Sequence, residues 1–256
     1  MSIHANAVFG SSVSRDGSRF SRMLAGAVLL TGSLVASAPA SADFLRHTAF
    51  ANGSEDVTVV RPTNVSENVL AGGFTGFYSA VQANLNSSPL LSYCIELAQT
   101  FTFGTLYSNY SMAPVATAPN TIVGGMGLAK ADALARMLGD GRFADSFTSR
   151  VKTVAMQLAI WEVVYEVAGN AYNLAADGFR LTSSESQEIR DQAATYLTFT
   201  STGTMAQIAA LTSVAGSPTT GNQDFITVVP VPPSAALLGT GLLFGLWTMR
   251  RRRSNA

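Results

Sequence analysis

Hydrophobic and polar residues change rhythm along this chain, and the change separates a strand-rich part, a helical part and a tail. Residues 57–61 alternate as a short strand does, residues 69–82 mix aromatic and small side chains as strand and turn, and residues 90–97 read as a further strand. Residues 100–106 are aromatic and β-branched, until Asn109 and Pro114 break the run. A Pro/Gly-rich loop over 117–127 follows. Residues 128–138 then carry a helical period ended by Gly139, and residues 149–168 a longer one ended by Gly169 and Asn170. Thr182-Ser183-Ser184-Glu185 has the form of a capping box and opens a third helix over 185–197. Residues 201–224 are rich in Gly, Ser and Thr and read as a linker. Strands, then helices, then a tail define an α+β chain.

The two ends carry patterns of another kind. Arg15, Arg19 and Arg22 precede an apolar stretch over 24–35, and Ala40-Ser41-Ala42 is a small-x-small site. That order is a secretory signal, with a mature start predicted at Asp43. At the other end residues 234–249 carry no charge and are followed by Arg250, Arg251, Arg252 and Arg253. Sixteen helical residues span about 24 Å, short of a hydrocarbon core of about 30 Å, so residues 228–233 extend the span on one side and the arginines snorkel on the other. Such arginines stay cytoplasmic, which leaves the body of the chain outside the inner membrane. An uncut single-span anchor obeys the same physics of insertion.

The tail resembles the PEP-CTERM sorting signal of Gram-negative bacteria. The likeness rests on Val229, Pro230 and Pro232, the glycine-dotted apolar run with Gly239 and Gly241, and Arg250, Arg251, Arg252 and Arg253. Val231 stands where that signal usually has glutamate. The resemblance implies a transient stay in the inner membrane, an exosortase-type processing enzyme as partner, and a destination at the cell surface or in the extracellular polysaccharide and biofilm matrix.

Composition narrows what the body can do. Sixteen basic and sixteen acidic residues balance, and no basic patch points to nucleic acid. One cysteine and two histidines do not make a four-ligand zinc site, and no phosphate-cradling glycine motif lies between a strand and a helix, so no metal or cofactor is expected. His47 is the one histidine left after the signal is removed, a weak base for a cysteine-dependent enzyme, so the chain reads as a non-enzyme.

The chemistry that remains is Cys94 and Gln157. An exported protein usually pairs its cysteines, and Cys94 has no second cysteine to pair with. On the helix over 149–168, with Gln157 set at zero and about 100° per residue, Val164 and Ala168 fall about 20° to either side and Trp161, Val154 and Ile160 within about 60°. Glu166 lies about 180° away, with Lys152 and Glu162 within about 40° of it. Gln157 thus faces the apolar side, where an unpartnered amide costs about 1–3 kcal/mol. Either a backbone hydrogen bond satisfies it, or a neighbouring thiol attacks its carbonyl, expels ammonia and leaves an internal thioester. By the same patterning Trp161 is expected in the core, and Glu96, Glu162 and Glu166 are expected solvated or ion-paired.

Tyr93-Cys94-Ile95-Glu96 and Gln157-Leu158-Ala159-Ile160-Trp161-Glu162 resemble, in the right order, the two signature motifs of bacterial thioester domains, best known from surface adhesins. Met156 stands where that family usually has threonine. The resemblance implies a barrel-like β core with a helical subdomain, a Cys94–Gln157 cross-link packed by Tyr93 and Trp161, and covalent capture of an amine-bearing surface ligand. An inert Cys94 in a structural or adhesive matrix protein is the alternative. The expected division is a signal peptide over 1–42, a thioester-domain-like body over 43–200, the linker over 201–227 and the sorting signal with its transmembrane helix over 228–256.

Overall fold

The computed structural model describes residues 42–119, 125–167, 169–182, 186–213 and 222–229. The signal peptide and nearly all of the sorting signal, Pro230, Pro232, Gly239, Gly241, Arg250, Arg251, Arg252 and Arg253 included, lie outside them. Among the described residues no helix is long and apolar enough to cross a membrane.

Six strands close into an antiparallel barrel. They are β1 (Asp43–Phe50), β4 (Phe74–Ser79), β5 (Pro89–Cys94), β6 (Tyr107–Ala113), β8 (Ile208–Ser213) and β9 (Phe225–Val228), in the order β1-β4-β5-β9-β8-β6. β2 (Glu55–Val60) and β3 (Ser66–Ala71) form a second sheet with the two-residue β7 (Arg180–Leu181), in the order β3-β2-β7. The helices are α1 (Gly127–Met137), the short α2 (Arg142–Ser146), α3 (Arg150–Tyr165) and α4 (Gln187–Leu197). The α+β class and the barrel with helices beside it agree with expectation.

Two expectations about strands do not hold. Residues 201–227 are not a linker, because β8 and most of β9 lie within them and close the barrel. β9 pairs with β5 through Tyr93↔Ile226 and Cys94↔Phe225, and with β8 through Leu211↔Phe225 and its neighbours. Without these two strands β5 and β6 would each expose an unpaired edge, a liability that closure removes. The globular body therefore runs to Val229, whose N–H donates to the Gln207 carbonyl at 2.8 Å. The aromatic run over 100–106 is not a strand either. The strand follows it, as β6, and passes through Asn109.

α3 is the centre of the molecule. It begins at Ser149, whose side chain accepts the Lys152 N–H, and it ends where Glu166 turns extended. Every residue from Thr153 to Tyr165 is buried, so the helix has no solvent face. The expected amphipathic helix is instead a core helix, packed against α4, α1 and the barrel. Its contact with the barrel is set by Gly73, whose N–H donates to Thr153 Oγ1 at 2.9 Å. A Cβ on Gly73 would stand 2.5 Å from the Phe147 ring, 2.7 Å from Thr153 Oγ1 and 2.9 Å from the Tyr93 ring, so only glycine lets backbone and helix approach this closely.

Candidate functional site

Cys94 is the last residue of β5 and Gln157 lies midway along α3, and the fold brings them together. The Cys94 N–H donates to Gln157 Oε1 at 3.0 Å, and Gln157 Nε2 donates to the Cys94 carbonyl at 2.8 Å. Gln157 is wholly buried and Cys94 is 6% exposed. The side-chain amide is therefore clamped across the backbone of one residue, the cysteine. The backbone hydrogen bond that could satisfy Gln157 and the thiol that could attack it belong to the same partner.

The thiol itself donates to the Glu96 carbonyl at 2.9 Å. Burial pushes its pKa far up, while the backbone of Glu96 and the Trp161 side chain pull the other way. The thiol is thus held neutral until a reaction takes its proton. The Gln223 side-chain amide also donates to the Glu96 carbonyl. Glu96 Oε1 accepts from Tyr165 Oη at 2.9 Å and from the Ala98 N–H at 3.2 Å, and Tyr165 Oη accepts the Leu97 N–H at 2.7 Å. The segment after Cys94 is in this way pinned to α3 on one side and to the residues before β9 on the other.

The expectation that Glu96, Glu162 and Glu166 are solvated or ion-paired is overturned, since all three are buried. At least one oxygen of each accepts from the protein interior, and Glu162 Oε2 has no partner among the described residues. Glu162 Oε1 accepts the Asn173 N–H at 2.5 Å, and Glu166 Oε1 accepts the Val167 N–H and Asn170 Nδ2, both at 2.8 Å. Burial raises the Glu162 carboxyl to about 8. These two carboxylates organise the loop after α3 and lie on the side of the helix away from Gln157.

Tyr93 does not pack on the cysteine. Successive residues of a strand face opposite sides. The Tyr93 hydroxyl meets Ser146 Oγ at 2.7 Å and Thr153 Oγ1 at 3.2 Å, and its ring packs on Phe147 and Phe143. It anchors α2 and α3 to the barrel. Trp161 does reach the site. It lies one turn beyond Gln157, is 2% exposed, and shares with Cys94 the lining of a pocket of about 310 Å³. Glu96, Gln99, Gln223 and the rings of Phe50, Phe101 and Phe103 also line it. Phe103 is partly exposed at 38%, so the pocket provides a route from solvent toward the sulfur.

Sequence reasoning missed Asp224 and Gln223. Asp224 is buried next to β9, its carbonyl accepts the Ile95 N–H at 3.1 Å, and its carboxyl accepts the Ser213 N–H at 3.0 Å. Burial raises that carboxyl to about 7, and Glu96 adds to the rise. The signal that could have revealed both residues is the apolar run Phe225-Ile226-Thr227-Val228 just after them, too regular for a linker.

The fold and site define a closed antiparallel barrel with a buried Cys–Gln pair at the end of one strand. No protein-family model matches the sequence, and no curated protein matches it. Among solved structures the chain is similar to the N-terminal thioester domain of a surface protein from Clostridium perfringens. The identity is 15%, the match covers 62% of this chain and 89% of that one, and the TM-score is 0.39. At that score the two share a general likeness, and the functional reading rests on Cys94 and Gln157 themselves.

Proposed function

We propose that this protein is an exported surface or matrix protein that binds amine-bearing partners covalently through an internal thioester between Cys94 and Gln157. One observation carries the reading, the reciprocal pair of hydrogen bonds between the Gln157 amide and the Cys94 backbone. Attack of the thiol on Gln157 Cδ makes the sulfur–carbon bond, breaks the Cδ–Nε2 bond and releases ammonia, with the thiol proton leaving on the nitrogen. Negative charge builds on Oε1 in that step, where the Cys94 N–H already donates. Fixing both reactants in the rigid interior supplies the proximity that the uncatalysed reaction lacks. The finished bond is an electrophile, and a primary amine entering by the pocket opens it to an amide and a free thiol. Each bond is consumed once, so the protein is a binder and not an enzyme. Export, processing by an exosortase-type enzyme and delivery to the surface or polysaccharide matrix follow from the chain ends.

A second reading is supported by the same hydrogen bonds. They satisfy the amide, and the buried thiol is held neutral, as an inert cysteine in a non-covalent matrix component would be.

Intact mass of the protein recovered from the cell surface, beside Cys94→Ala, separates the two. The proposal expects wild type to lack one ammonia, to gain methylamine on incubation, and to begin at Asp43. Cys94→Ala should show neither the loss nor the gain. A wild-type mass with no ammonia missing, and a thiol that titrates fully once unfolded, would establish the inert form.

A further inference from the structure

We propose that Trp161 is a catalytic residue of this site, its indole N–H holding the Cys94 sulfur as it leaves as thiolate. The inference rests on the thioester reading above and assigns a role that core packing does not require. Trp161 stands four residues after Gln157 on α3, the spacing that places two side chains one above the other on a helix. Its ring lines the same pocket as Cys94. Its Nε1 is buried and has no hydrogen-bond partner among the described residues. Buried indole N–H groups ordinarily find a partner, so this one needs an explanation.

The sulfur provides it. The indole N–H makes no hydrogen bond of ordinary geometry to the neutral thiol, yet it is near enough to favour the charged form. A neutral thiol is a weak acceptor and a thiolate a strong one. The donor is therefore poorly used in the resting state and fully used when charge appears on sulfur, which is the condition for lowering a barrier.

The opening step balances with this donor in place. The amine nitrogen attacks Gln157 Cδ while the Cys94 N–H holds Oε1. The carbon–sulfur bond then breaks and its electron pair stays on sulfur, facing the indole N–H. The proton released by the new amide nitrogen ends on sulfur, giving a thiol and a substituted amide. Formation of the thioester is the same sequence reversed, with ammonia as the amine.

Trp161→Phe keeps an aromatic ring and removes the donor. In protein that carries the thioester by mass, methylamine opening should slow about tenfold to a hundredfold, the size of one hydrogen bond to a charged group. A folded variant that never forms the bond would support the same role in the reverse direction. A second measurement avoids any change of packing. Wild type grown on a ring-fluorinated tryptophan has a more acidic N–H at the same place, and should open faster than ordinary wild type. Unchanged rates in both would overturn the role of Trp161 and leave the thioester standing. A wild type with no ammonia missing would overturn the thioester itself.

Discussion

Two nucleophile-bearing pairs sit on the same face of β5, and only one of them holds a side-chain carbonyl beside the nucleophile's own backbone. Ser92 Oγ meets His47 Nε2 at 2.8 Å, a contact that in an open site would begin a hydrolase. Here both residues are fully buried, and the imidazole lies 4.2 Å from the ring of Phe225, 5.2 Å from Phe101 and 5.4 Å from Phe74. Burial lowers the His47 pKa to about 3, so the ring stays neutral. Its Nδ1 has no partner among the described residues, so nothing orients it as the third member of a triad does. Cys94 and Gln157 lack a base of that kind, but they have what the other pair lacks. The backbone of the cysteine holds the amide of Gln157 at both ends, and a pocket lined by the cysteine lies beside it. Residue type alone would have ranked the pairs in the opposite order.

The largest effect that would sharpen this contrast is on stability. His47→Ala removes a ring packed among three phenylalanines and orphans the Ser92 hydroxyl, and should cost about 2–5 kcal/mol in urea melts. In the fraction that still folds, the missing ammonia and the uptake of methylamine should be unchanged. Loss of methylamine uptake in folded His47→Ala would make the two pairs one site.

Gly73→Ala tests the opposite side of the barrel wall. The new methyl group meets Phe147, Thr153 and Tyr93 at sub-contact distance, so α3 must shift, at a cost of about 1–3 kcal/mol. Thr153 is one turn before Gln157, and the shift should carry the amide off the Cys94 backbone. The expected result is a smaller fraction of molecules lacking ammonia, read by intact mass, with the His47–Ser92 side undisturbed. A fully formed bond in Gly73→Ala would mean that the docking of α3 on Gly73 does not set the pair's geometry.

How much of this was legible in the chain follows from the physics of each part. The helix over 149–168 was, because Ser149 caps it and a long run without glycine or proline follows, and it is observed as Arg150–Tyr165. The meeting of residues 94 and 157 was, because a cysteine with no second cysteine to pair with and an amide among apolar residues each demand an explanation, and both lie in motifs that resemble those of thioester domains. β8 and β9 were not. Ala209 and Ala210 are small, Thr212 and Thr227 are polar yet buried, and their surroundings are Gly, Ser and Thr, so composition argued for a linker while pairing made a wall. Glu162 and Glu166 were misread for a similar reason. A helical wheel shows charge on one face, but it does not show the N–H groups of Asn173 and Val167 that take those oxygens out of water.

The smallest predicted effect, and the one that sets the two regions directly against each other, is the slope of stability with pH. His47, on the sealed side, has an ordinary pKa of 6.5 and a folded value of about 3. Between those values the unfolded chain binds the extra proton, so His47 makes stability rise with pH. Asp224, on the cysteine side, goes from 3.8 to about 7, and Glu162 from 4.5 to about 8. For these two the folded chain binds the extra proton, so each makes stability fall as pH rises through its window. From pH 4.5 to 6.5 these three groups together leave one net proton on the folded side and contribute a loss of about 1.4 kcal/mol per pH unit, and Glu67, whose pKa burial also raises, acts in the same direction. Asp224→Asn should flatten that slope, and His47→Phe should roughly double it. Urea melts across the window read all three. A wild type whose stability climbs over this range would mean that the sealed imidazole outweighs the carboxyls beside the cysteine and α3.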